Sequence, residues 1–473
     1  MKKDNLQIPQ DYFAQANSLK AKGDEYFWQG YELDSALENY HAALALFRQI
    51  ENKSGEAHVL RAIGDVHQFR DDRNTALENY YEALKLFRQV GDKLGEANVL
   101  SAIGDVQQFR KDLDTALESY YQALKLFKEI GSKLGEANVL QAIGDVQQFR
   151  DDRDAALVSY NESLKLFKEI GAKLGEANVR KAIGDVLQFR DDRDAALVSY
   201  NEALKLFKEV GAKLGEANVL KAIGDVLQFR DDRDAALVSY NEALKLFKEI
   251  GAKLGEANVL SSIGDVLQFR KELDAALVSY NEALKLFKEI GAKLGEANMR
   301  KAIGDVLQFR DDRDAALVNY NEALKLFREI GAKLGEASVR NAIGDIEQTR
   351  NNRDASLESY NEALKLFKEI GDKLGEANVL QSRGRLLIFS EQPQEGLKML
   401  QDALNIYTEI GAIPSQANIY FFLGQILASS GQKEKAIEML EQAVKLGNSI
   451  DPNHPVTKYM QDFLNDTRAQ LAQ

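Results

Sequence analysis

A forty-residue repeat is the feature that most constrains the fold of this chain of 473 residues. Stretches close to "GEANVLKAIGDVLQFRDDRDAALVSYNEALKLFKEIGAKL", which spans residues 215–254, recur along the sequence. The glycine of the "AIGD" segment returns every 40 residues, at positions 64, 104, 144, 184, 224, 264, 304 and 344, and the frame continues through 384 and 424. With a less regular copy at the start, the sequence contains eleven repeats. Because repeats this short pack on their neighbours, the period predicts one stacked array.

Each repeat has the apolar pattern of two helices. Leu220, Ile223 and Leu227 recur at helical spacing and predict an amphipathic first helix over residues 216–230. Alanine, leucine and aromatic residues recur in the same way over residues 235–250 and predict a second helix. The expected fold class is therefore all-α, an α-solenoid of about eleven helical hairpins.

The connections between helices carry capping residues. In "FRDDRD", Asp234 is predicted to be the N-cap of the second helix, and Arg230 to neutralise the C-terminal end of the first. Gly251 is predicted to end the second helix as a C′ glycine. All five prolines lie outside residues 10–392, so none interrupts the regular repeats.

The ends of the chain depart from the repeat. Residues 1–10 are predicted to be an N-terminal tail, residues 11–450 the solenoid, and residues 451–473 a C-terminal capping helix. In the last segment Val456, Met460, Phe463 and Leu464 form one apolar stripe, as a helix covering the end of an array requires.

Composition narrows the class of partner. The formal net charge is −13, from 61 basic and 74 acidic residues that alternate through every repeat, which argues against a nucleic-acid or membrane-binding surface. No stretch reaches the roughly 20 apolar residues of a membrane helix. The chain has no cysteine, which fits a reducing compartment. We therefore expect a cytoplasmic protein whose partner is a protein or peptide.

The sequence shows no recognisable catalytic or metal-binding motif. The segment "GAKLGEA" lacks the Gly-Lys-Ser/Thr ending of a phosphate-binding loop. The four histidines, at positions 41, 58, 67 and 454, have no metal-ligand spacing. We expect no metal site, no cofactor and no enzymatic activity.

The small and aromatic positions resemble a known family. Gly224, Ala236 and Ala243, with Tyr240 between the alanines, match the tetratricopeptide repeat (TPR), and the match recurs in nearly every repeat. Two positions depart from the pattern. The usual aromatic of the first helix is Leu220, or arginine at positions 180, 300 and 340, and the terminal proline is absent. The resulting 40-residue unit, with its "GDKLGEA" connection, is similar to the repeats of Pins-type adaptors, kinesin light chains and bacterial arrays.

The resemblance implies a right-handed superhelix whose concave groove is lined by the first helices and holds an extended peptide or a partner domain. It therefore implies a non-catalytic adaptor or scaffold. Two alternatives stay open: a peptide-sensing receptor, as in some bacterial regulators with similar repeats, and a passive spacer or self-associating scaffold in which copy number sets length.

The polar positions of the first helix are the predicted groove lining. They are Asn178, Lys181, Asp185, Gln188, Asn218, Lys221, Asp225, Gln228, Phe229, Asp265 and Asp305. The amides would bond to the backbone of an extended chain, and the aspartates would form a negative stripe. Lysine four residues before aspartate would neutralise part of that charge. In the alternative interpretation these rows are solvated polar faces that duplication has copied.

The irregular repeats supply further candidates. Phe27 and Trp28 occupy the positions held by Gln-Phe elsewhere, while Arg385 replaces an aspartate and lies near Phe389. Aromatic and arginine side chains commonly provide most of the binding energy at an interface. For Trp28 and Phe421 the alternative is that they pack beneath the ends of the array.

Overall fold

The structure, a computed structural model, describes residues 4–30, 32–390 and 392–471, which form 23 α-helices and no strand. The chain divides into two compact units, Met1–Ile250 and Gly251–Gln473. The first contains α1 (Asp4–Gln29), α2 (Leu33–Gln49), α3 (Lys53–Phe69), α4 (Arg73–Val90), α5 (Lys93–Phe109), α6 (Leu113–Ile130), α7 (Lys133–Phe149), α8 (Arg153–Glu169), α9 (Lys173–Phe189), α10 (Arg193–Val210), α11 (Lys213–Phe229) and α12 (Arg233–Ile250).

The second unit contains α13 (Lys253–Phe269), α14 (Leu273–Glu289), α15 (Lys293–Phe309), α16 (Arg313–Glu329), α17 (Lys333–Thr349), α18 (Arg353–Ile370), α19 (Lys373–Ile388), α20 (Pro393–Glu409), α21 (Ile413–Ser429), α22 (Lys433–Ile450) and α23 (Pro455–Leu471). In both units each odd-numbered helix up to α21 packs most closely on the helix that follows it. The predicted helical hairpins are confirmed. None of the helices in the described ranges is long and apolar enough to cross a bilayer.

The residue of the "DDRD" segment that caps the second helix is not the predicted one. Oδ1 of Asp232, not Asp234, accepts a hydrogen bond from the Ala235 amide at 3.3 Å, so Asp232 caps α12. Asp231 adopts a left-handed conformation with φ 64°, which turns the chain between the helices. All three aspartates are good capping residues, and only the backbone geometry of the turn decides which of them is the cap. Gly251, with φ 69°, ends α12 as predicted.

Arg230 lies at the C-terminal end of α11, where it was predicted, and it and its equivalents also connect neighbouring hairpins. Arg230 Nη1 lies 2.6 Å from Oδ1 of Asp194, which belongs to the first turn of α10 in the preceding hairpin. At the opposite end, a second kind of pair joins the two helices of one hairpin: Lys173 Nζ of α9 lies 3.1 Å from Glu209 of α10. Both kinds of pair recur along the array. Because they are solvent-exposed, each contributes only about 0.5 kcal/mol, and packing must supply most of the stability.

Aromatic rings packed against glycines form the core. Tyr200 and Phe207 of α10 are buried. A Cβ on Gly184 would lie 2.5 Å from the Tyr200 ring, and one on Gly215 would lie 2.4 Å from the Phe207 ring. The first contact joins the two helices of a hairpin, and the second joins that hairpin to the next.

A first helix buries two apolar stripes because it lies between two second helices. Leu220 and Ile223 of α11 are buried as predicted, whereas Leu227 is only partly buried. Val219 and Val226, which the spacing argument left out, are completely buried. The broader apolar face is what a helix packed on both sides requires.

In three other repeats an arginine occupies the position of Leu220, and carboxylates bind these arginines. Arg180 Nε lies 3.0 Å from Glu176, and its guanidinium also contacts Glu202 of the second helix. Arg340 makes the same pair of contacts with Glu336 and Glu362 and is only 8% exposed. The departure from the repeat pattern is therefore compensated within the hairpin.

The termini differ from the prediction in two details. Helix α1 begins at Asp4, so the segment expected to be a tail is helical from that residue. The expected capping helix is α23, in which Met460 and Leu464 are buried and Val456 is exposed. In the first turn of α23 it is Thr457 that faces the preceding helix, close to Gly447, so that Val456 beside it points outward.

Candidate functional site

The exposed side of each first helix is a continuous surface, which we call the first-helix face. In α11 it consists of residues at successive turns, namely Leu214, Asn218, Lys221, Asp225, Gln228 and Phe229. In the first unit, consecutive first helices from α1 to α11 contact one another, so their faces adjoin. The predicted residues of α9 and α11 all lie on this face.

The predicted residues differ in exposure. Asn178, Asn218 and Phe229 are exposed. Lys181, Asp185, Gln188, Lys221, Asp225 and Gln228 are partly buried. In the second unit, Asp265 is exposed and Asp305 is partly buried. The amide row is thus available to a ligand at its asparagines and only in part at its glutamines.

A tyrosine of the second helix holds the aspartate and glutamine rows. The Tyr240 hydroxyl lies 2.8 Å from Oδ1 of Asp225 and 2.9 Å from Oε1 of Gln228. Because a phenol has one proton to donate, the two oxygens compete for it, and the carboxylate is the stronger acceptor. The arrangement recurs at Tyr80, Tyr120, Tyr160, Tyr200, Tyr280, Tyr320 and Tyr360. These aspartates therefore have a structural role that the sequence did not indicate.

Lysine neutralises some of the aspartates, as the spacing predicted. Lys181 Nζ lies 2.6 Å from Asp185, Lys221 lies 2.8 Å from Asp225, and Lys301 lies 2.7 Å from Asp305. No basic residue occupies the equivalent position before Asp105 or Asp145, where the sequence has Ser101 and Gln141.

Burial perturbs the unpaired carboxylates. It raises the pKa of Asp105 to about 6, although the hydrogen bond from Tyr120 acts in the opposite direction. Burial likewise raises the pKa of Asp145 to about 6, against the hydrogen bond from Tyr160. The negative charge of Asp145 adds to the effect on Asp105. Burial is also the main cause that raises the pKa of Tyr160.

An aromatic ladder runs along the first unit at the C-terminal ends of the first helices. Its members are Trp28, Phe69, Phe109, Phe149, Phe189 and Phe229, each at least 63% exposed. Arginine side chains from the preceding hairpin lie over three of the rings. Arg73 is 5.5 Å from the Phe109 centroid, Arg153 is 5.6 Å from Phe189, and Arg193 is 5.7 Å from Phe229. Only Phe229 and Trp28 of the ladder were predicted as binding residues.

Cavities lie between successive rings of the ladder. One, of about 350 Å³, is lined by Asp145, Gln148, Phe149, Asp151, Arg153, Val186 and Phe189. Another, of about 510 Å³, is lined by Gln68, Asp105, Gln108, Phe109, Lys111 and Phe149. Each cavity combines apolar ring surface with carboxylate and amide groups.

The other end of the first-helix face is also apolar. In the second unit a cavity of about 870 Å³ is bounded in part by Leu294, Asn298, Lys301 and Leu334. This leucine row, from the "KLGEA" connection, was not predicted. It could have been recognised because a leucine at a hairpin connection has no core position to occupy.

At the N-terminal end the predicted pair separates into two environments. Phe27 is partly buried and packs edge-to-face on Phe69, with ring centroids 6.0 Å apart. Trp28 is 84% exposed, so the alternative in which it packs beneath the end of the array is wrong. Trp28 begins the aromatic ladder instead.

At the C-terminal end, Arg385 and Phe389 belong to an aromatic cluster. The Arg385 guanidinium lies 4.7 Å from the Phe422 centroid, and its Nε is buried without a hydrogen-bond partner. Burial lowers the pKa of Arg385. The exposed Phe389 ring packs edge-to-face on Phe422. Phe421 packs on Tyr459 and Phe463 of α23, which confirms the capping interpretation for that residue.

The sequence matches the tetratricopeptide repeat family over residues 95–169, 175–249, 255–329, 335–409 and 376–449. No curated protein matches the chain. A signal transduction ATPase with a tetratricopeptide repeat sensor, PH0952 from Pyrococcus horikoshii, superposes with a TM-score of 0.57 at 13% identity, covering 85% of this chain and 64% of that one. The apo quorum sensor NprR from B. thuringiensis superposes with a TM-score of 0.50 at 16% identity, covering 74% of this chain and 99% of that one. These two structures show a shared fold, and the family match shows that the chain belongs to the tetratricopeptide repeat family.

Proposed function

We propose that the protein is a non-catalytic interaction scaffold that binds an extended polypeptide along the first-helix face. The aromatic ladder of the first unit is the observation that supports this most strongly. The Phe189 ring is 67% exposed, so it adds little to the core, and exposed rings recur at the same position in successive hairpins. Repeated exposed aromatic side chains of this kind are typical of protein interaction sites.

The spacing of the ladder suits an extended chain. First helices that contact one another have axes about 8–10 Å apart. An extended peptide in the polyproline II conformation completes one turn every three residues, over about 9 Å, so every third side chain of such a ligand would enter the next cavity. The polar part of the face would then lie beneath the peptide backbone, where Gln148 and its equivalents offer amide groups.

The tyrosine hydrogen bonds favour tight binding by holding the face rigid. The Tyr160 hydroxyl donates to Asp145 at 2.6 Å, with Gln148 as the competing acceptor at 3.0 Å, and both residues line one of the cavities. Side chains that are already ordered lose less conformational freedom when a ligand binds.

The proposal is tested with peptides selected from a random display library against the full chain. The double variant Phe189→Ser/Phe229→Ser should bind the selected peptides at least about tenfold more weakly, because two apolar contacts are removed. Val198→Ser is the matched control, since Val198 is 61% exposed, close to the 67% of Phe189, but lies on the second helix of the same hairpin. Equal loss in the control, or no loss in the double variant, would contradict binding at this face.

A further inference from the structure

Phe149 differs from the other phenylalanines of the ladder. Phe109, Phe189 and Phe229 each have an arginine over the ring, and Phe69 packs on Phe27. The position that supplies the arginine holds Leu113 in the hairpin before Phe149. Among the described residues no guanidinium or second aromatic ring stacks on Phe149, although 63% of it is exposed.

The carboxylates beside Phe149 differ from their equivalents in the same way. At Asp185 and Asp225 the chain supplies a lysine from the preceding turn. Asp105 and Asp145 have no ion-pair partner within the part of the chain that the structure describes. Each accepts a hydrogen bond from a tyrosine through Oδ1, at 2.7 Å for Asp105 and 2.6 Å for Asp145.

These two differences meet in one place. Phe149 lines both cavities of the first unit, one of which also contains Asp105 and the other Asp145. We call Phe149, Asp105 and Asp145 together the Phe149 site. In the two hairpins that follow, Phe189 and Phe229 have an arginine over the ring and Asp185 and Asp225 have a lysine partner. No such cation is supplied to the three residues of the Phe149 site by the part of the chain that the structure describes.

Basic residues nearby do not neutralise the site. Arg153 lines one cavity but lies 2.7 Å from Asp151 and stacks on Phe189. Lys181 lowers the pKa of Asp145 through its charge, yet its ammonium group is paired with Asp185. Lys111, which lines the other cavity, is solvent-exposed, so water screens its charge.

From this we infer that the Phe149 site binds a basic side chain, lysine or arginine, of the extended peptide. The ligand's cation would stack on the Phe149 ring as Arg193 does on Phe229, and would pair with a carboxylate as Lys221 does with Asp225. This inference rests on the proposed function and adds to it a preferred residue type at one position of the array.

The test uses two fluorescein-labelled peptides, Leu-Ala-Ala-Arg-Ala-Ala-Leu and the same sequence with norleucine in place of arginine. Fluorescence anisotropy with the full chain should show that the arginine peptide binds about tenfold more tightly, because cation–π and carboxylate contacts act together. The preference should shrink at high salt, which screens the ion pair.

Variants that supply the missing cations from the chain itself make the test specific. Leu113→Arg and Gln141→Lys introduce residues found at the same positions in other repeats, so both should fold. Each should reduce the preference for arginine to about twofold or less by competing with the ligand. Glu118→Val is the control, since it changes net charge by the same amount as Gln141→Lys but lies on the second helix α6.

The outcomes separate the inference from the proposed function. If both peptides bind equally to the wild type, or if Leu113→Arg and Gln141→Lys retain the preference, the inference is wrong while peptide binding stands. If neither peptide binds, both are contradicted. Loss of the preference in Glu118→Val as well would attribute it to net charge and would overturn the inference.

Discussion

The Tyr200 hydroxyl donates a hydrogen bond of 2.8 Å to Oδ1 of Asp185, and Oδ2 of the same carboxylate accepts one of 2.6 Å from Lys181. One buried tyrosine thus ties the second helix to the exposed face of the first. Hydrogen bonds to charged groups contribute more to stability than those between neutral groups.

Tyr200→Phe should therefore destabilise this hairpin by about 2 kcal/mol, because the ring still packs but the bond to the carboxylate is lost. Urea unfolding followed by circular dichroism gives the global effect, and hydrogen exchange of α9 and α10 gives the local one. Tyr121→Phe is the control, since Tyr121 is half-exposed and should change stability by less than about 0.5 kcal/mol. Comparable effects of the two substitutions would refute a stabilising role for the hydroxyl.

Asp105 and Asp145 should make stability depend on pH. Their folded-state pKa of about 6 exceeds the ordinary value of 3.8, so between these values the folded state binds more protons than the unfolded state. Their contribution to the free energy of unfolding therefore increases as pH falls from 7 to about 4. Asp145→Asn has no charge to bury, and its melting temperature relative to wild type should be highest at pH 7 and should decline as the pH is lowered. A difference that does not change with pH would show that the carboxylate is not perturbed.

The glycine beneath the tyrosine ring should contribute to stability. Gly184→Ala places a Cβ about 2.5 Å from the Tyr200 ring, and such overpacking costs about 1–3 kcal/mol. Gly211→Ala is the control, because Gly211 has φ 69° and nothing within 4 Å of its Cβ, so that only backbone strain of about 1 kcal/mol applies. Thermal unfolding should rank wild type above Gly211→Ala and Gly211→Ala above Gly184→Ala. The reverse order of the two variants would show that the ring moves aside.

The buried arginine of α17 should be replaceable by the leucine of other repeats. Arg340→Leu removes an ion pair with Glu336 and Glu362, and buried pairs exchanged for packed apolar groups commonly leave stability unchanged or raise it by about 1 kcal/mol or more. Arg340→Ala, which also leaves a cavity, should be destabilising. If both variants lose the same stability in urea unfolding, the ion pair itself stabilises the hairpin.

Removal of one whole hairpin should leave a folded protein. Deleting residues 173–212 removes α9 and α10 and brings Phe167 against Gly215, the same ring-on-glycine contact that Phe207 makes now. The melting temperature should change by only a few degrees, since stability in such arrays is nearly a sum over neighbours. Deletion of residues 173–192, which removes α9 alone, should abolish cooperative melting. Equal tolerance of both deletions would contradict the hairpin as the packing unit.

The sequence was sufficient for the hairpin fold because every repeat carries the same apolar spacing. It was not sufficient for details that depend on how two helices face each other. Asp232 and Asp234 are equally suited to capping by residue type, and the turn at Asp231 makes Asp232 the cap. Val226 was missed because a single amphipathic stripe was assumed for a helix that packs on two sides.

The candidate site was predictable in outline for the same reason. Asn218, Asp225 and Gln228 share a helix face by spacing alone, and the structure places them together. The hydrogen bond from Tyr240 to Asp225 depends on the rotation of the second helix about its own axis, which the sequence does not reveal. The special position of Phe149 requires knowing which arginine lies over which ring.

The pairing of Arg230 with Asp194 has a consequence for assembly. The same contact joins Arg150 to Asp114 two hairpins earlier, so a hairpin finds equivalent partners at several places along the array. We therefore expect similar hairpins to compete for one docking position during folding. We expect the first and last hairpins, whose sequences differ from the rest, to fix the register of the hairpins between them.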